Sequence, residues 1–154
     1  VSILSNIFGK KKEKTMNFYG LGEFSYSNDG TDEYWSIEQP VGKLPSKFNF
    51  GAICGNLEGP NSEALEAFSF YAEKPENLYS YLNELFYSKL KEKFGNLTIK
   101  DIQTDFYLKS LTCTSKEEFE FGFHSNKKDI FIELFFRGGS VTEVHLDEGC
   151  CECV

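Results

Sequence analysis

An α+β fold is predicted for this sequence: an antiparallel sheet of about seven strands, a three-strand meander and a four-strand meander, with two helices between them packed on one face. Three observations predict it. Apolar residues recur with period two at the start, with helical spacing in the middle and with period two again to the end. Turn chemistry separates the strand-like runs, with Ser27-Asn28-Asp29-Gly30 early and Gly138-Gly139 late. The length of 154 residues, with 16 Phe and 8 Tyr, suits one domain with an aromatic core that needs no metal or disulfide.

Residues 1–16 read as a separate arm. Ile3, Leu4, Ile7 and Phe8 share a helical face and precede Lys10, Lys11, Lys12 and Lys14. A basic amphipathic segment of this kind suits an anionic surface, but so short an arm binds weakly and forms no stable membrane insertion. The order, apolar before basic, is the reverse of a secretory signal. No run approaches the roughly 20 apolar residues that cross a bilayer.

The domain proper is expected over 17–147. Phe18 to Tyr26 alternates as a strand, the Asn-Asp-Gly turn closes a hairpin, and Glu33 to Gln39 returns with Trp35 and Ile37 on the core side. Pro40 ends that strand, and Lys47 to Cys54 forms the third, with Phe48, Phe50, Ala52 and Cys54 on one face. Asn61 is the expected N-cap of a helix whose stripe is Ala64, Ala67, Phe68 and Tyr71. Pro75 opens a second helix that carries Leu78, Tyr81, Leu82, Leu85, Phe86, Leu90 and Phe94 and stops at Gly95. Period two then resumes through Thr104 to Leu111, Glu118 to His124, Ile130 to Phe136 and Val141 to Leu146. A Cys-rich tail, 148–154, ends the chain.

Composition narrows function. Sixteen Lys plus Arg against 24 Asp plus Glu leave a net charge of −8. An acidic chain disfavours direct nucleic-acid binding, which gains affinity by neutralising phosphates. No zincin, nucleophile-elbow, P-loop or Cys-x-x-Cys pattern occurs, and Gly20-Leu21-Gly22 sits in a strand pattern that opens no helix. His124 and His145 fall on polar or terminal strand positions, where imidazoles are solvated. No catalytic residue and no cofactor is assigned.

Five cysteines, three of them crowded at Cys150, Cys151 and Cys153, make no secreted disulfide framework and point to a reducing cytoplasm. Cys54 and Cys113 read as small buried hydrophobes. The tail thiols with His145 offer zinc or copper donors, but adjacent cysteines do not aim well at one ion, so no metal site is assigned.

The acids are unevenly placed. Asp29, Asp32, Glu33 and Glu38 surround the first hairpin turn beside Tyr34 and Trp35, and Glu58 precedes the first helix. Together these residues form the candidate binding face for a cationic protein, with charge steering association and an aromatic anchor at the centre. Glu117, Glu118 and Glu120 read instead as a solvated strand end.

With Glu33-Tyr34-Trp35-Ser36, then Gly55-Asn56-Leu57-Glu58-Gly59-Pro60 leading into Ser62-Glu63-Ala64-Leu65, then a Phe-rich meander, the chain resembles bacterial immunity proteins of polymorphic and contact-dependent growth-inhibition toxins over Phe18 to Leu146. The resemblance implies a cytoplasmic single-domain inhibitor, monomeric until it binds the C-terminal domain of a cognate toxin, often a basic nuclease. The alternatives are a metal- or redox-responsive protein using the tail cysteines, or an enzyme invisible to motif reading.

Overall fold

The computed structural model describes residues 14–38, 50–125 and 128–148. The arm before Lys14, Pro40, the start of the third expected strand and the tail cysteines lie outside the described residues. The fold is α+β around a mostly antiparallel sheet. In chain order the strands are β1 (Thr15–Phe18), β2 (Gly22–Asn28), β3 (Glu33–Glu38), β4 (Phe50–Asn56), β5 (Gly59–Pro60), β6 (Tyr107–Cys113), β7 (Glu118–Ser125), β8 (Ile130–Arg137) and β9 (Ser140–Glu148). Between β5 and β6 come α1 (Ser62–Glu73), a 3-10 segment (Pro75–Tyr81), α2 (Glu84–Phe94) and α3 (Ile99–Asp105). The sheet order is β1-β2-β3-β4-β6-β7-β8-β9, with the short β5 pairing β4.

Several elements depart from the expectation. The run from Phe18 to Tyr26 is not one strand: Gly20 and Gly22, at φ +78 and +111, turn the chain so that Thr15 and Met16 begin a strand paired with β2. Only residues without a Cβ adopt such φ values cheaply. On β4 the core-facing residue is Ile53, while Phe50, Ala52 and Cys54 take the other face. The expected second helix is broken, because Asn83 starts a new helix by accepting from the Phe86 N–H at 3.2 Å. Its amide also donates to the Val141 carbonyl at 3.0 Å, tying that start to β9.

A third helix, α3, occupies residues expected to approach a strand. Thr98 and Asp101 cap it reciprocally, each side chain satisfying the other's backbone N–H. The next strand therefore begins only at Tyr107, and a bulge between Leu108 and Ser110 shifts its register so that Leu108 and Leu111 both face the core.

The sheet is also not wholly antiparallel. β4 pairs β6 in parallel, with Ala52 opposite Thr112. A parallel partner requires a long crossover, which the helical segments supply.

Register sorts the side chains cleanly. Tyr26, Trp35, Ile53, Cys113, Phe119, Phe136 and Val141 form one row across the sheet, and every one belongs to the core or packs on it. The helical segments meet this face. Phe68 of α1 sets its ring edge-on to Phe24, Tyr71 tilts against Phe119, Tyr79 stacks on Phe123 and Tyr81 packs on Phe136. A neighbouring row on the opposite face runs Ser25, Ser36, Ala52, Thr112, Glu120, Phe135 and Glu143.

Candidate functional site

Two turns at one end of the sheet enclose a cleft of about 630 Å3. The β2–β3 turn supplies Thr31, Asp32 and Glu33; the end of β4 and the turn into β5 supply Cys54, Asn56 and Glu58; Asn61 and Thr114 complete the wall. None of these described side chains is basic.

Local hydrogen bonding shapes both turns. In the first, the Asp29 carboxylate accepts from the Thr31 N–H at 2.9 Å, the Thr31 hydroxyl at 2.7 Å and the Asp32 N–H at 2.8 Å. The bonds from Asp32 and Thr31 hold the Asp29 carboxyl down at about 2, so it stays charged while its oxygens serve the turn. In the second, the Asn56 side chain accepts from the Glu58 N–H at 2.9 Å, and the Asn56 carbonyl accepts from the Trp35 indole at 3.0 Å. Asn61 joins the cleft to α1. Its N–H donates to the Cys54 carbonyl at 2.8 Å, and its side chain caps the Glu63 and Ala64 N–H groups.

Of the residues expected to bind a partner, the cleft unites Asp32, Glu33 and Glu58, with Asp29 bonded beside them. It does not unite the rest. Trp35 is fully buried, because β3 alternation turns it inward with Ile37, so it positions the Asn56 turn and offers no surface to a partner. Tyr34 is half-buried on the face away from the helices, opposite Cys54. Glu38 lies at the far end of β3, opposite Phe50 and roughly 17 Å along the strand from Glu33.

The exposed apolar residue at this end is Leu57, at 54%. It stands on the turn between Asn56 and Glu58, and the Lys14 ammonium donates to its carbonyl. That exposure depends on a two-residue strand, β5, which no period-two pattern announces.

Cys113 is buried, and burial pushes its thiol up to about 12, as befits a small core residue. Cys54 differs from the expectation: it is half-buried and lines the cleft.

His124 and Glu120 also differ from the expectation of solvated groups, whereas His145 and Glu117 are exposed as expected. His124 is only 6% exposed; its Nδ1 pairs with the Tyr107 hydroxyl at 3.0 Å, and its Nε2 lies 3.6 Å from Asp129. His145 is exposed between Glu133, at 3.6 Å, and Glu143, at 2.8 Å. Glu120 is half-buried against Glu133, and burial plus that neighbour push its carboxyl up to about 7. Cross-strand pairing brings these groups together, and it is invisible in a single strand's sequence. No group of His, Cys, Asp and Glu among the described residues is arranged to hold a metal ion. No described helix is long and apolar enough to cross a membrane. No protein-family model, curated protein or solved structure matches this chain.

Proposed function

We propose that this protein is a non-enzymatic inhibitor that binds and neutralises a cationic protein, in the manner of immunity proteins for bacterial toxins, and that it does so through the acidic cleft. One observation supports the reading above the others: Asp32, Glu33 and Glu58 converge from two separate turns beside the exposed Leu57. Carboxylates at a rim steer a basic partner, and an apolar residue among them supplies contact area that is desolvated on docking. Such a partner is a basic toxin domain, a nuclease being the natural case. Inhibition by occlusion needs no cofactor and leaves the protein monomeric until it docks, and the reading carries with it a cytoplasmic location.

Co-expression with any toxin domain found encoded beside this gene tests the reading. Growth rescue and a one-to-one complex are expected, and absence of both would sink the inhibitor assignment. The cleft has its own test. Reversing Asp32, Glu33 and Glu58 to Lys should slow association by roughly tenfold at low salt, with the difference shrinking as salt screens it. An unchanged association rate would remove the cleft from the interface while leaving the inhibitor reading standing.

A further inference from the structure

The helical segments make their ring contacts on one face of the sheet. On the other face, β7, β8 and β9 present polar and aromatic side chains to solvent. Glu133 is 28% exposed, His145 50% and Glu143 60%. Register sets them in two adjacent rows. In one, Phe135 lies between Glu120 and Glu143; in the other, Glu133 lies between Gly122 and His145.

Two features give this face a specific chemistry. First, among the described residues its carboxylates exceed the basic groups at hand: Arg137 is engaged by Glu118 at 3.3 Å, His145 lies between Glu143 at 2.8 Å and Glu133 at 3.6 Å, and Lys109 sits over the Phe131 ring, 5.8 Å from its centroid. Second, aromatic rings flank the acids. Phe135 is half-buried with His145 beside it, ring centroids 5.3 Å apart. Phe131 lies over Gly122, where an added Cβ would come within 2.4 Å of the Ser110 hydroxyl and 2.9 Å of the ring.

Carboxylates beside aromatic faces suit one kind of group. A guanidinium bonds carboxylates in a planar fork and stacks on a ring, whereas an ammonium is a compact, strongly hydrated point charge. We infer that the exposed face of β7–β9, centred on Glu120, Glu133 and Phe135, is a second docking surface that seats an arginine side chain of a basic protein partner.

The seat does not depend on the acidic cleft, which lies at the β2–β3 and β4–β5 turns. It has a signature the cleft lacks. Burial and then the neighbouring Glu133 push the Glu120 carboxyl up to about 7, so an arriving guanidinium displaces the proton that Glu120 retains near neutral pH. The other charged groups facing Glu120 are Glu118 and Arg137, which pair with each other, and Glu143 and His145. His145 is the other ionisable group that bridges this face, touching Glu133 and Glu143, so His145→Gln is the background in which to read the effect.

The experiment uses the full chain carrying His145→Gln, isotopically labelled and titrated with a blocked tetra-arginine peptide, with tetra-lysine as comparison. Backbone shifts should move along Glu120, Gly122, Glu133 and Phe135, and affinity should rise roughly tenfold from pH 6 to pH 8 as Glu120 ionises. Adding Glu120→Gln, which keeps size and shape, should abolish that rise with the spectrum otherwise intact. A triple Asp32→Asn, Glu33→Gln, Glu58→Gln variant should keep it. Shifts confined to the cleft, equal binding of the lysine peptide, or a pH dependence that survives Glu120→Gln would each overturn the proposal.

Discussion

The indole N–H of Trp35 reaches from the core to the Asn56 carbonyl, so one buried residue holds the turn on which Leu57 and Glu58 stand. Trp35→Phe keeps an aromatic ring and removes the donor. It should cost about 1 kcal/mol for the lost bond; Trp35→Ala should cost about 3–5 kcal/mol. Urea unfolding measures both, and a Trp35→Ala variant as stable as the parent would contradict the packing described. Glu120 makes a different kind of prediction. Its carboxyl titrates at about 7 in the fold, against 4.5 ordinarily, because of burial and then Glu133, with His145 opposing. A group that holds its proton more tightly when folded leaves stability whole below about 4.5 and erodes it as pH rises toward 7. Glu120→Gln should therefore raise the melting temperature at pH 8 and leave it nearly unchanged at pH 4.5, and an equal gain at both would refute the assignment.

At the scale of elements, short polar side chains decide where helices begin. Asn83 caps α2 and also bonds β9, so Asn83→Ala should destabilise the protein by about 1–2 kcal/mol, measured by chemical unfolding. A cost near zero would mean that water replaces both bonds. Much of the element order is legible in the sequence, because period two marks Phe119, Phe121 and Phe123 or Ile130, Ile132 and Leu134 whatever their partners are. The turns at Asn28-Asp29-Gly30 and Gly138-Gly139 are equally legible, since positive φ selects Gly30, Gly138 and Gly139 while the Asn28 and Asp29 side chains accept from the turn's own N–H groups. The misreadings share a cause. Phe106 and Leu108 alternate with polar residues on both sides of a helix end, so the pattern conceals the Thr98–Asp101 capping box that starts α3. Asn83 likewise hides within an apolar spacing that continues past it.

At the scale of the molecule, the acid excess behind a net charge of −8 includes two groupings on different parts of the fold: the cleft around Asp32, Glu33 and Glu58, and the rows of Glu120, Glu133 and Glu143. The first is half legible in the sequence because Asp32 and Glu33 are neighbours there; Glu58 joins them only through the pairing of β3 with β4. The second is not legible, since Glu120, Glu133 and Glu143 belong to three strands and their order across the sheet is a tertiary fact. The same holds for the parallel pairing of β4 with β6, which no local pattern encodes. That seam also sets a timetable. β6 to β9 close through short turns, and so do β1 to β3, whereas β4 and β6 meet only after the chain between them has been gathered in, an entropic delay that grows with the loop enclosed. Pulse-labelled exchange during refolding should find the amides of β7 and β8 protected first and those bridging Ala52 and Thr112 last. Simultaneous protection would mean the two halves never exist apart; the expected order makes the seam the moment at which two hairpin stacks become one protein.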